Sequence, residues 1–173
     1  MNHQIANVRR IGSNEVEVFK RIRLEALQLE PASFASSYED WTKLSDDEWR
    51  RRLESPVFVA FLNEEPVGIT GLLRQSASKM AHRATIVMVY VRAGLRGKGV
   101  AKDLLEAVVA YAVAHGVQQL ELSASAENQS ALRFYRREGF VEAGRIPAGF
   151  VHEGRQVDDI IMVRRLEAIE LGS

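Results

Sequence analysis

Apolar residues in this 173-residue chain follow two different periods, and the switches between them mark out the elements. Residues 86–91, Ile-Val-Met-Val-Tyr-Val, form a nearly unbroken apolar run rich in β-branched and aromatic side chains, which predicts a strand covered on both faces. Gly94, Gly97 and Gly99 follow at once. From Val100 the apolar positions Val100, Ala101, Leu104, Leu105, Val108, Val109, Ala112 and Val113 keep the three-four spacing of one helix face, and Gly116 then supplies a left-handed cap. Residues 85–101 therefore read as buried strand, glycine turn and helix opening.

The same reading carries along the chain. Residues 5–11 predict a first strand, and Asn14 with Glu17 resembles a capped helix start. Val16, Phe19, Arg23, Ala26 and Leu27 continue that helix to about Leu29, before Pro31 ends it. Residues 32–41 are small and polar with three aromatics, so they read as a loop whose rings either line a pocket or pin it to the core. Ser45 and Glu48 form a capping box for a short helix over 45–53. Residues 57–62 and 66–73 predict a hairpin across the turn at 63–65, and 117–123 a strand. A helix over 127–138 and closing strands at 141–146 and 157–163 complete the order β-α-α-β-β-β-α-β-α-β-β, a mixed α+β fold in a single domain. Strand, helix, strand between 85 and 123 implies a right-handed crossover joining parallel neighbours.

Composition removes several classes of function. Hydrophobic residues are 46% and charged residues 27%, and 23 basic side chains balance 23 acidic ones, so nothing global steers the chain to nucleic acid. The absence of cysteine excludes disulfides, thiolate nucleophiles and thiolate metal sites. The four histidines are scattered, so no metal site is expected. No apolar run reaches the length of a membrane span, and a cytoplasmic location is expected.

A helix start presents unpaired backbone N–H groups and the positive end of its dipole, so a glycine turn leading into one can wrap a phosphate. Arg96 and Lys98 add positive charge. Neither the P-loop pattern G-x-x-x-x-G-K-S/T nor the dinucleotide pattern G-x-G-x-x-G is met, because Gly99 follows Lys98, and Ala101 and Lys102 follow Val100. Arg96-x-x-Gly99-x-Ala101 after the strand instead resembles the pyrophosphate-binding motif of the GNAT superfamily of acyl-CoA-dependent N-acyltransferases. A second segment agrees: residues 128–140, N-x-x-A-x-x-F-Y-x-x-x-G-F, are similar to the GNAT segment after the fifth strand. Asn128 and Tyr135 are two turns apart and fall within about 20° on one helix face. One departure is Ala93, where members often carry proline.

The resemblance implies a central mixed, largely antiparallel sheet of about six or seven strands with about four helices, in which a splayed parallel strand pair holds acetyl-CoA. Val89, Tyr90, Val91, Arg96, Gly97, Lys98, Gly99, Val100, Ala101, Asn128, Ser130 and Tyr135 are the implied cofactor contacts, with Asn128 bonding the pantetheine arm or a nearby backbone group and the Tyr135 hydroxyl near the thioester sulfur. The tail, with its Asp158 or Asp159 before the last strand, looks like a branch that modifies small amines or amino-acid-like compounds. Glu25, Phe34, Tyr38, Phe150, His152 and Asp158 are the expected acceptor-pocket walls.

An amine is protonated at neutral pH and must lose a proton before it attacks a thioester, so a base is needed, with a backbone donor for the developing oxyanion and an acid for the thiolate. Tyr135 is the expected acid. Many relatives carry a glutamate on the strand at 85–90, and this chain has none there. Glu39 is the expected base, with Asp40, Glu25, His82 or an ordered water chain as alternatives. The expected activity is transfer of acetyl from acetyl-CoA to a small-molecule primary amine in a ternary complex, with no nucleic-acid or membrane partner and a possible homodimer. A protein N-terminal or lysine acetyltransferase, a non-catalytic CoA-binding regulator, and an interaction module using Arg133, Arg136 and Arg137 are the other readings.

Overall fold

The computed structural model describes residues 5–167. Among the described residues, seven strands and five α-helices follow the expected α+β order with one short helix, α2, added: β1 Asn7–Arg10, α1 Val16–Leu29, α2 Tyr38–Thr42, α3 Asp46–Arg52, β2 Val57–Leu62, β3 Glu65–Arg74, β4 Arg83–Val91, α4 Val100–Ala114, β5 Gln119–Ser125, α5 Gln129–Arg137, β6 Val141–His152 and β7 Arg155–Arg165. The strands are hydrogen-bonded in the order β1-β2-β3-β4-β5-β7-β6. The described residues form two compact units. One holds those up to Leu73 together with Ile86–Tyr111, and the other holds Arg74–Thr85 together with those from Ala112 onward.

In the first unit α1 turns Val16, Phe19, Ile22, Arg23, Ala26 and Leu27 inward. Val16, Phe19, Ile22 and Ala26 join Ile11, Trp49, Leu53, Val57, Val59, Phe61, Ile69 and Tyr90 in one core. Phe19, Trp41 and Trp49 meet edge to face, with centroids 5.1–6.1 Å apart. The helix start differs from the expected Asn14 cap. Glu15 occupies the cap position with no side-chain cap bond of its own; its carboxylate accepts the Gly12 N–H at 3.2 Å and grips Arg9 at two points. Glu30, restricted by the proline after it, leaves the helical region and ends α1. The capping box at Ser45 and Glu48 is present in both directions, at 2.7 and 3.2 Å. Acidic residues open α3 and arginines close it, which complements its dipole. Residues 32–41, expected as loop, contain the five-residue α2, capped by Ser37.

β2 and β3 are joined by Asn63 and Glu64, both at positive φ, the geometry of a two-residue hairpin turn. Within β4, Met88 sits at φ 59°, a conformation that costs a non-glycine residue about 1–3 kcal/mol. Gly71 gives its side chain room: a Cβ there would lie 2.6 Å from Met88 Cε.

In the second unit the start of β4 pairs in parallel with β5, Arg83 to Thr85 against Gln119 to Glu121. Antiparallel pairings of β5 with β7 and of β7 with β6 follow. Ala84, Ala112, Val117, Leu120, Leu122, Leu132, Tyr135, Phe140, Val157, Ile160 and Met162 are its buried apolar residues. The closing strands are longer than expected. The stretch 147–156, expected as a connection, is mostly strand, turning at Glu153 and Gly154, both at positive φ. Both α4 and α5 end in a glycine cap. The Val117 N–H returns to Ala112 O and that of Phe140 to Tyr135 O, each at 2.9 Å, around Gly116 and Gly139 in the left-handed region.

Candidate active site

In the first unit, β4 leads through a single turn of 3-10 helix at 93–95 into the glycine turn and α4. Gly97 and Gly99 have φ of 77° and 86°, which an L side chain resists, and a Cβ added at either meets no atom within 4 Å. The glycines here thus leave open space as well as supplying backbone freedom. The first backbone bond into the helix runs from Asp103 N–H to Gly99 O at 3.0 Å, so the amides of Val100, Ala101 and Lys102 precede it and belong to the unpaired first turn. Val100 is buried beneath the turn, Ala101 is half-buried and Lys98 is exposed. Arg96 is half-exposed; its Nε donates to Val91 O at 3.2 Å and its Nη2 meets the Glu30 carboxylate.

Glu25, Tyr90 and Arg92 form the polar group at the end of β4. The Tyr90 hydroxyl donates to Glu25 Oε2 at 3.0 Å, and Arg92 donates from Nη2 at 2.7 Å and from Nε at 3.0 Å. Arg92 also reaches Glu65, which Arg21 contacts. Burial is the largest influence on Glu25 and pushes its acid form up, but the hydrogen bonds from Arg92 and Tyr90 outweigh it and hold the carboxyl below its usual value. Burial, then the Glu25 carboxylate, pushes the Tyr90 phenol up to about 12. Glu25 is therefore an occupied anion that orients β4. Its lone pairs are engaged, which makes it a poor proton acceptor. Val91 is buried and Val89 half-buried on the same strand.

The expected pocket residues Phe34, Tyr38 and Glu39 lie on the segment joining α1 to α3. Phe34 packs against the core and stacks on Arg23, with the guanidinium carbon 4.8 Å from its centroid. Tyr38 is half-buried and Glu39 is exposed on α2. The second unit carries the other expected residues. The Asn128 side-chain oxygen caps α5, accepting the Ala131 N–H and the Ser130 hydroxyl, each at 3.2 Å. Tyr135 is buried, its ring edge to face with Phe134 and Phe140 at 5.3 and 5.6 Å. Burial raises its phenol well above the ordinary tyrosine range, so the hydroxyl stays protonated at neutral pH and can donate. Asp158 accepts Arg145 at 2.8 Å and the Ala148 N–H at 2.9 Å, pinning the bulge where β6 slips register against β7. Phe150 and His152 are half-buried on β6, facing Val157 and Arg155 in register.

The structure thus joins Glu25 to Tyr90, and Asn128 to Ser130. Arg92 and Glu65 went unnoticed in the sequence because their partner lies far away along the chain and no local pattern announces such a pair. Arg23 did leave a signal, a cation at a core position of an apolar helix stripe. Among the described residues no group of three or more His, Cys, Asp or Glu is placed to hold a metal ion, and no helix is long and apolar enough to cross a membrane.

Residues 23–140, more than half of the chain, match the Acetyltransferase (GNAT) family. An uncharacterized N-acetyltransferase of Methanocaldococcus jannaschii is 33% identical over 94 residues, 53% of this chain and 42% of that protein. The N-alpha-acetyltransferase MAK3 of Arabidopsis thaliana is 30% identical over 89 residues, 51% of this chain and 46% of that protein. The chain spans less than half the length of these curated relatives. A phosphinothricin acetyltransferase of the GNAT superfamily from Sinorhizobium meliloti, solved in complex with AcCoA, shares the fold with a TM-score of 0.80 at 21% identity, covering 98% of this chain and 92% of that one. Since the family match takes in β4, the glycine turn, α4 and all of α5, the chain belongs to the GNAT acetyltransferase family.

Proposed function

We propose that the chain is an N-acetyltransferase, a single catalytic domain that moves an acetyl group from acetyl-CoA to the primary amine of a small-molecule or amino-acid-like acceptor. One observation carries the reading: the glycine turn combines open space at Gly97 and Gly99 with the unpaired first-turn amides of α4, the two things a diphosphate needs. The residues present fit the group. Acetyl-CoA supplies the activated acetyl thioester.

This chain's own residues do the rest. The amides of 99–101 and the cations Arg96 and Lys98 hold the diphosphate, with Arg96 exchanging its Glu30 partner for phosphate. Val89, Tyr90 and Val91, which follow the positive-φ residue Met88, offer backbone groups along the acyl arm. Asn128 and Ser130 contribute polar groups at the start of α5. Tyr135, protonated at neutral pH, would be the proton donor to the sulfur that leaves. Glu39 takes the amine proton; it is exposed, where a carboxylate can pass a proton to water. Phe34, Tyr38, Phe150, His152 and Asp158 are the proposed acceptor walls. A cytosolic setting and a homodimer belong to the same proposal, on the strength of the family resemblance.

The similarity to the Arabidopsis N-alpha-acetyltransferase favours a second reading, in which the acceptor is the N-terminus of a peptide. A panel of amines, amino acids and short peptides, each mixed with acetyl-CoA and followed by free-thiol release, separates the two. Thiol release with small amines supports the first reading; release with peptides alone supports the second. No binding of acetyl-CoA removes both.

A further inference from the structure

Arg23 is the buried charged residue of the first unit, 3% exposed on the inner face of α1 between Ile22 and Ala26. Its Nε and Nη1 are sealed from solvent and have no hydrogen-bond partner among the described residues. The guanidinium lies over two rings, 4.8 Å from the Phe34 centroid and 4.4 Å from that of Trp41. A second guanidinium, that of Arg52, stands 4.8 Å from the same Trp41 ring, and its Nη1 meets the Glu48 backbone oxygen at 3.4 Å. Among the described residues neither arginine joins an ion pair.

Aromatic rings cover the faces of a guanidinium, whereas its N–H donors point outward in its plane. The stacking therefore leaves those donors without acceptors. Two cations on one indole also repel each other, and burial together with the Arg52 charge pushes the Arg23 guanidinium down to about 10. A role in packing alone would be served at lower cost by an apolar side chain of the same volume. What the cluster lacks is an anion: a planar one that matches a guanidinium edge and is small enough to sit between aromatic rings. The rings that cover Arg23 are carried by short elements: Phe34 directly follows the 3-10 turn Pro31–Ser33, and Trp41 lies on the five-residue α2.

We propose that Arg23, assisted by Arg52 beside Trp41, binds the carboxylate of the acceptor, which makes the acceptor an amino acid with a free carboxyl group. The inference rests on the acetyltransferase reading above and narrows it to one substrate class. A site built to grip a carboxylate discriminates strongly against the same molecule with that group masked, because its own donors are then left unpaired.

The test uses the full chain with CoA present. Each of the common amino acids is titrated alongside its carboxamide and alongside sodium acetate, with tryptophan emission as the binding signal, since Trp41 and Trp49 are the chain's two tryptophans. Thiol release from acetyl-CoA is measured in parallel. The expected result is that at least one amino acid binds at least about tenfold more tightly than its amide, with acetate far weaker than either. Arg23→Met should erase that preference while acetyl-CoA affinity and the melting midpoint in ligand-free buffer are kept. Arg52→Met, more exposed and safer for folding, should reduce it. Amides binding as well as acids, a preference surviving in both variants, saturation by acetate alone, or no response to any amino acid while acetyl-CoA binds would each overturn the assignment. Failure of the wild-type chain to bind acetyl-CoA would instead remove the enzyme reading on which it rests.

Discussion

Glu25 on α1 grips Arg92 at the end of β4 through two nitrogens, at 2.7 and 3.0 Å, and the same carboxylate accepts the Tyr90 hydroxyl at 3.0 Å. The pair ties the first helix to the strand that leads into the glycine turn. Because the folded Glu25 carboxyl is held below its unfolded value, its contribution to stability is present above the unfolded pKa of about 4.3 and is lost as pH falls through the lower folded value. Glu25→Gln should therefore cost about 1–3 kcal/mol at pH 7, with the gap to wild type closing in acid. Urea unfolding of both proteins at several pH values reads this directly, and a gap that does not change with pH would mean the ion pair contributes nothing.

Asn128 is a helix cap by geometry and a cofactor contact by proposal, and two variants separate the roles. Asn128→Ala should lose about 1 kcal/mol of stability, whereas Asn128→Asp, an equally good cap, should keep it. If the side-chain amide also donates to the acyl carrier, the aspartate variant binds acetyl-CoA more weakly while melting at the wild-type temperature. Wild-type affinity in that variant leaves Asn128 as a cap alone.

How much of this was legible in the sequence follows from the distance over which each signal acts. The capping box at Ser45 and the glycine cap at Gly116 are set within a few residues, and both are present. The hydrophobic runs of β2, β3, β4 and α4 are equally local, and their ends fall close to where the pattern puts them. The stretch 147–156 was misread because Pro147, Gly149 and Gly154 look like turn residues. They fall in the β6–β7 hairpin, where β6 is an edge strand: an edge strand tolerates proline, the register slip takes up Gly149 and the hairpin turn uses Gly154. Asn14 carried the better capping side chain, yet Glu15 won that position because Arg9 and the Gly12 amide both bind its carboxylate. The Glu25–Arg92 pair joins residues from different elements, and only the fold brings them together.

Tyr135 takes its proposed role from the family resemblance, and it is buried. The phenol is held protonated beyond the ordinary tyrosine range, so turnover should show no loss of the acid as pH rises through 9 to 10, where an exposed tyrosine would begin to titrate. Tyr135→Phe keeps the ring contacts with Phe134 and Phe140 and should fold normally, while kcat falls about 100-fold or more. A variant that turns over at the wild-type rate would take the acid role away from this residue.

Gly71 and Met88 test the break in β4. Gly71→Ala places a methyl group 2.6 Å from Met88 Cε, the movable end of that side chain, and 3.1 Å from Val87 Cγ2, and should destabilise the chain by about 1 kcal/mol, part of it recovered when Met88 is also cut back to alanine. Thermal melts of the two single variants and the double variant measure the coupling. Strict additivity would show that Gly71 is not there to make room for Met88.

The central claim is that the turn at 97–101 holds the diphosphate of an acyl carrier. Calorimetric titration of acetyl-CoA into the wild-type chain and into Arg96→Gln, at low and high salt, tests it most directly. The account predicts saturable one-site binding by the wild type that weakens with added salt and falls by about tenfold in the variant. A wild-type titration with no saturable heat, or an Arg96→Gln variant that binds as tightly as wild type at both salt concentrations, would contradict it.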